Sequence, residues 1–473
     1  MSNVSALERR ARVLNNLPIE PDRSVPLPKR VFKSALTWAL LFATLVFAVL
    51  LWEQYAMTTA DSQAIDNVAP SINFSAIKKS FFFALPTLLF WIVVFVLIDR
   101  FRPARLALWY VALGWGIAVS TWISIYANTW ASQYLGVSQT GGDPAASART
   151  AVFVAPFVEE ASKATVLFWL AILVRYRLVS KLSMITLAGL SAAGFAFTEN
   201  IIYYARAIVY SASVIEVGDA NSAVGQLVWM RGLFTAFGHP LFTCMTGLGL
   251  AVALRTRSKV VRVLAPLIGF GAAALMHMLF NSQVTIQSEN TQVWIYFILV
   301  LPSMIMLVIA LFRQEFAQGR LIRARLTDYV RMGWLNESDP VVFSKLRTRL
   351  RALLLALLRG WRPFAATVLL QRTMTELAYL RDAEASGIID SAADFRAKEL
   401  VTSTRKLRTT GIDDPREVSF RLPAFLRRIP QLFSRRKAVV ANTPEVPGWA
   451  PPAVSSTVYG YSAVNPTWGP PPG

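Results

Sequence analysis

The feature that most constrains this chain is a series of apolar runs, each long enough to cross a hydrocarbon core of about 30 Å as a helix of about 20 residues. They fall at approximately 34–55, 81–98, 106–130, 151–174, 182–205, 232–254, 263–280 and 293–312. The expected fold is therefore all-α: a polytopic transmembrane helix bundle of about eight spans. With 54% of its residues hydrophobic, the chain is more apolar than a soluble core of this length requires.

The net charge of +20 points to nucleic acid only until its distribution is followed. Basic loops resist translocation and gather on the cytoplasmic side of a membrane. The amino-terminal tail carries Arg9, Arg10, Arg12, Arg23, Lys29, Arg30 and Lys33. The second connection adds Arg100, Arg102 and Arg105, and the fourth adds Arg175, Arg177 and Lys181. The sixth adds Arg255, Arg257, Lys259 and Arg262, for seventeen in all on that side. Only Lys78, Lys79, Arg149, Arg206 and Arg231 fall opposite. Both termini are thus predicted to be cytoplasmic. The long polar stretch before the first run, and the length of that run, predict an uncleaved anchor rather than a signal peptide. Cys244 is the single cysteine, so no intramolecular disulfide forms.

Four regions follow. Residues 1–33 form a cytoplasmic tail and 34–312 the transmembrane domain. Residues 313–437 are basic, cytoplasmic and predicted to be helical. Within them the stretch 345–358 (KLRTRLRALLLALL) sets arginines among leucines as an amphipathic helix does. Packing in a small helical domain is the first expectation for that helix, with contact to anionic lipid the alternative. No nucleic-acid motif occurs there, and no nucleic-acid partner is expected. Residues 438–473 are rich in Pro, Gly, Ser and Val and are predicted to be disordered.

Ionisable residues in mid-membrane cost roughly 2.5–3.5 kcal/mol each on the more lenient insertion scale, and chains that keep them tend to use them. The fourth span reads FVEEASKATVLF, with Glu159, Glu160 and Lys163. Glu159 and Lys163 are spaced i, i+4 for an ion pair, while Glu160 points about 100° away. In the fifth span, Phe195, Glu199 and Tyr203 share one face, and Asn200 follows Glu199. The sixth holds His239 followed by Pro240, a residue that bends helices. The seventh places His277 and Asn281 on one face. These are the only two histidines in the chain.

Depth gathers these groups. At 1.5 Å per residue, Glu159 and Glu160 lie about 12–14 Å below the outer end of their helix, Glu199 about 9 Å, His239 about 11 Å and His277 several Å to about 9 Å. Four consecutive helices thus carry their polar groups to the same outer third of the bilayer, which predicts one site.

The set suits water activation, and no serine or cysteine in it has an evident base partner. In one version Glu160 is general base to a water attacking a peptide carbonyl, with histidine and Asn281 stabilising the oxyanion. In the other, His239, His277 and a glutamate, taken as Glu160, hold a zinc ion. The sequence leaves both open.

The ordered series EExxK (Glu159, Glu160, Lys163), FxxxEN (Phe195, Glu199, Asn200), intramembrane His239 and HxxxN (His277, Asn281) resembles the PrsW family of intramembrane proteases. That family is related to the CAAX-protease and bacteriocin-processing group. The resemblance covers roughly residues 150–285. It implies a helical bundle in a bacterial plasma membrane that cleaves membrane-anchored proteins, anti-sigma factors being typical substrates. By position it marks Glu159, Glu160, Glu199, His239 and His277 as catalytic. Two alternatives belong to other classes. One is a proton-coupled transporter, which buried carboxylates and histidines also serve. The other is an inactive membrane scaffold that keeps the motifs.

Overall fold

The computed structural model describes residues 6–14, 17, 26–60, 72–101, 106–134, 149–174, 178, 180–213, 220–284, 293–294, 296–387, 389 and 393–417. The tail expected to be disordered, 438–473, lies outside them. Among the described residues all regular structure is helical. After two short helices, α1 (Ala6–Leu14) and α2 (Leu27–Phe32), come α3 (Ala35–Thr59), α4 (Phe74–Ile98), α5 (Leu106–Tyr134) and α6 (Ala155–Leu173). Then follow α7 (Lys181–Ser213), α8 (Ala220–Trp229), α9 (Gly238–Arg255), α10 (Lys259–Val284) and α11 (Leu301–Arg331). The last four are α12 (Asp339–Ser344), α13 (Leu346–Arg359), α14 (Trp361–Ala385) and α15 (Ala393–Arg408).

Among the described residues six segments are long and apolar enough to cross a membrane: α3, α4, α5, most of α7, the stretch Val224–Arg255 and most of α10. The other two predicted spans are helical as well. The fourth, α6, is made less apolar by Glu159, Glu160 and Lys163. The eighth begins in the turn Tyr296–Val300 and runs through α11 to Arg331, well past the expected end at 312. α4 also exceeds its predicted range, starting at Phe74 where Asn73 Oδ1 caps the Ala76 amide at 2.8 Å. Lys78 and Lys79 are exposed near that end, where long side chains can snorkel to water without ending the helix. At Pro240 the expected bend is a full break. Residues 235–237 leave the helix, α9 restarts at Gly238, and Pro240 falls in its first turn, where no intrahelical bond is lost.

The polar helices are central. α3 and α4 turn most of their surface outward, whereas α7 and the Val224–Arg255 stretch are largely buried. Small residues permit the close crossings inside. A Cβ on Gly249 would lie 2.3 Å from the Ala265 carbonyl oxygen, and one on Gly269 would lie 2.6 Å from that of Met245. α9 and α10 therefore meet backbone to backbone, as small residues allow in membranes.

Three π-turns surround the site, and each frees a carbonyl that a neighbouring helix takes up. Ile117 O, in the turn Trp115–Ser120, accepts from Thr198 Oγ1 at 2.8 Å. Ala151 O, in Thr150–Val154, accepts from Asn281 Nδ2 at 2.9 Å. Gly232 O, in Met230–Phe234, accepts from Thr87 Oγ1 at 2.6 Å. Single π-turns inside α-helices are frequent at functional sites.

α12 to α15 and the end of α11 share a core of Ile322, Leu326, Phe343, Leu370, Met374 and Leu377, joined by Leu17 and Phe101. This unit is tied to the ends of the membrane helices. Arg100 pairs with Glu315, Arg255 with Asp382, and Gln318 donates to Ser180. Arg12 of α1 pairs with Glu8 at 2.6 Å and with Glu399 of α15.

Candidate active site

α6 supplies the acidic end of the site. Lys163 Nζ donates to Glu160 Oε1 at 2.9 Å and to Glu159 Oε2 at 3.3 Å. The predicted pairing of Glu159 with Lys163, leaving Glu160 facing elsewhere, needs correction here. A lysine stem reaches both the i−3 and the i−4 carboxylate, and it lies closer to Glu160. Glu160 is also the more deeply enclosed of the two, at 0% exposure against 7% for Glu159. Its second oxygen accepts from Thr243 Oγ1 of α9 at 2.7 Å.

Each imidazole is bonded to a carboxylate through one nitrogen. His277 Nδ1 of α10 lies 3.1 Å from Glu160 Oε1, and His239 Nε2 of α9 lies 2.9 Å from Glu199 Oε2 of α7. A carboxylate can only accept, so these contacts assign the proton to Nδ1 of His277 and to Nε2 of His239. The other nitrogens then carry lone pairs and face the same carboxylate. His277 Nε2 is 3.9 Å and His239 Nδ1 4.0 Å from Glu159 Oε2. The rings stand edge to face with centroids 5.0 Å apart.

Each carboxylate that holds an imidazole has its own cation. Glu160 has Lys163, and Glu199 has Arg231, whose Nη2 donates to Glu199 Oε2 at 2.6 Å. Arg231 Nε donates to Asn200 Oδ1 at 2.9 Å, and its guanidinium lies 4.0 Å from the centre of the Tyr203 ring. Three carboxylates against Lys163 and Arg231 leave a formal charge of −1 with both imidazoles neutral. Glu159 and Glu160 share the one ammonium of Lys163, so the excess charge lies on that pair.

One ligand atom from each of Glu159, His239 and His277 can be chosen so that all three lie within 4.8 Å of one another. Two imidazole nitrogens and a carboxylate oxygen fit a hydrolytic metal centre, and carboxylates bonded to the far nitrogens are the usual outer support. The expected ligand set contained Glu160 instead; its oxygens are already engaged by Lys163, Thr243 and His277. Lys163 Nζ lies 2.9 Å from His239 Nδ1, so the ammonium draws on one lone pair that a metal ion would use.

The remaining predicted residues support this centre. The Phe195 ring lies 4.0 Å from Lys163 Nζ and 5.3 Å from the His239 ring. The Asn281 amide nitrogen is spent on the π-turn carbonyl of Ala151. Sequence reasoning missed Arg231, which had been counted as an outer-side charge, although it precedes His239 by only eight positions. It also missed Thr243, which stands at i+4 from His239. A hydroxyl cluster went unnoticed too: Ser162 Oγ lies 2.6 Å from Ser120 Oγ and 3.1 Å from Ser124 Oγ. Those serines bond one another and the Glu159 carbonyl, with no base among them.

The site thus gathers carboxylates and imidazoles from α6, α7, α9 and α10 into one largely buried cluster. Residues 102–307 match the model of the PrsW family intramembrane metalloproteases. The matched stretch, somewhat less than half of the chain, is similar to that family, which is a family of peptidases. The match is wider than the 150–285 core, taking in α5 and the start of α11. No curated protein and no solved structure matches the chain.

Proposed function

We propose that the protein hydrolyses peptide bonds of membrane-anchored proteins at the Glu159–His239–His277 centre, with a divalent metal, zinc by its donor preference, held by these three residues. One observation carries this reading. Both imidazoles are bonded through one nitrogen to a carboxylate–cation pair, and both turn the other nitrogen toward Glu159, which shares Lys163 with Glu160. A bound zinc ion would bring a water whose pKa is about 7 and a Lewis acid for the scissile carbonyl.

The chain's own residues do the rest. Glu160, fixed by Thr243 and Lys163, holds the His277 ring in one tautomer. Glu199, neutralised by Arg231, does the same for His239. Glu159 is the carboxylate placed to hold the ion and to take a proton from water. The α9 break at residues 235–237, beside His239, supplies non-helical backbone where an extended substrate can approach.

A metal-free reading follows from Lys163, whose ammonium stands 2.9 Å from His239 Nδ1. In it, Glu159 alone is the general base and Lys163 keeps the cation position. Metal analysis of purified protein separates the two. Stoichiometric zinc that is lost in His277→Ala, and activity lost on chelation, support the metal centre; full activity without metal supports the second. No cleavage of any membrane protein together with pH-driven flux through vesicles would replace both with a transporter.

The topology we propose is eight spans with both termini cytoplasmic, in a bacterial plasma membrane. The seventeen-to-five division of basic residues supports it. Reporter fusions after residues 101, 174 and 258 should all report the cytoplasm; one extracytoplasmic result would break the scheme.

A further inference from the structure

α13 shows both faces that the amphipathic pattern of 345–358 left as alternatives. Its inner face packs: Arg349, Ala352, Leu355 and Ala356 are buried against the rest of the helical unit. Arg349 is enclosed without a carboxylate. Its guanidinium donates to Phe101 O at 3.0 Å and to Thr375 Oγ1 at 2.8 Å. Burial pulls it down from its usual value to about 9.

The outer face is apolar where solvent would be expected. Leu354 is 63% and Leu358 64% exposed, with Leu350 and Leu357 about half exposed beside them. The stripe ends at Trp361, 73% exposed, after the sharp turn at Gly360, whose φ is +117°. Arg347 and Arg351 are exposed on the same face, and Arg359 and Arg362 flank its end. These positions recur at the i, i+3, i+4, i+7 spacing of one helix face. A leucine face with a terminal tryptophan and bordering arginines is the composition of a helix lying in a membrane interface.

Position supports the same occupant. Phe101 comes three residues after the end of α4 at Ile98, and Arg349 bonds its carbonyl directly. α13 is therefore held within one arginine side chain of the membrane boundary. Its arginines complement anionic headgroups, whose attraction fades within a Debye length of the surface.

We propose that the outer face of α13 is a docking surface for anionic phospholipid, seating the carboxy-terminal helical unit on the leaflet beside α4. The proposal rests on reading α4 as a membrane span and is independent of the proteolytic reading.

The test uses the full chain in nanodiscs of phosphatidylcholine with or without phosphatidylglycerol. A fluorophore is placed at Leu354→Cys, with Thr402→Cys on exposed α15 as the reference; Cys244 is buried. Quenching by lipid-borne nitroxide should dominate at position 354 in anionic discs, and quenching by soluble iodide at 402. Arg347→Gln with Arg351→Gln should weaken docking on the order of 20- to 30-fold, as two headgroup-facing arginines imply. Equal iodide access at 354 and 402 in both lipids would overturn the proposal. So would protection of 354 from both quenchers in detergent and bilayer alike, which would mean that protein covers the face.

Discussion

Replacing Lys163 with methionine removes the cation from the most enclosed ion pair in the membrane domain while keeping the volume of its stem. Lys163 is 0% exposed, and its ammonium serves Glu160 at 2.9 Å, Glu159 at 3.3 Å and His239 Nδ1 at 2.9 Å. Removing one partner of a buried pair typically costs about 3–5 kcal/mol, because the other charge is left buried and uncompensated. At about 1–2 °C per kcal/mol for a chain of 473 residues, that lowers the melting temperature by roughly 3–10 °C. The assay is thermal unfolding followed by tryptophan fluorescence in detergent, with chelator present so that no metal takes the vacated place. Adding Glu160→Gln to Lys163→Met removes the stranded charge and keeps an acceptor for Thr243. That double variant should recover at least about half of the lost stability. A shift below about 2 °C for the single variant, or a double variant no more stable than the single, would refute the charge pairing described for α6.

Two further outcomes follow from neighbouring geometry. Arg231→Met strands Glu199 behind His239 and should lower turnover about 10- to 100-fold, as loss of outer support for a ligand does, with Arg231→Lys recovering much of it; equal losses for both substitutions would show that charge is not what matters. Gly116→Ala would put a Cβ 1.9 Å from the Ser191 carbonyl oxygen and should cost about 1–3 kcal/mol in thermal unfolding, whereas Gly271→Ala, with no atom within 4 Å, should be near neutral.

The helices were legible because hydrocarbon requires long apolar runs, and the gathering of Glu159, Glu199, His239 and His277 was legible because they sit at countable positions along those helices. What the sequence withheld was which partner each group takes. Lys163 reaches Glu159 and Glu160 equally well by spacing, and only the arrival of Thr243 and His277 from α9 and α10 distinguishes the surroundings of Glu160. Arg231 looked like a loop charge because Glu199 and Asn200 are more than thirty positions away. The π-turns leave no mark in hydropathy. α11 was cut at 312 because polar residues end an apolar run without ending a helix; past that point they face water or take partners on other elements, as Glu315 takes Arg100, Gln318 takes Ser180 and Arg325 takes Asp382.

The central claim is that Glu159 and the two histidines form a peptidase site. It is tested most directly with cells carrying wild-type protein or Glu159→Gln at equal abundance, their membrane proteomes compared, and purified wild-type protein then added to the variant membranes. The account predicts at least one membrane-anchored protein that is intact in the variant, shortened in the wild type, and cut on addition of the wild-type protein. Identical proteomes, with no cleavage on addition, would contradict it.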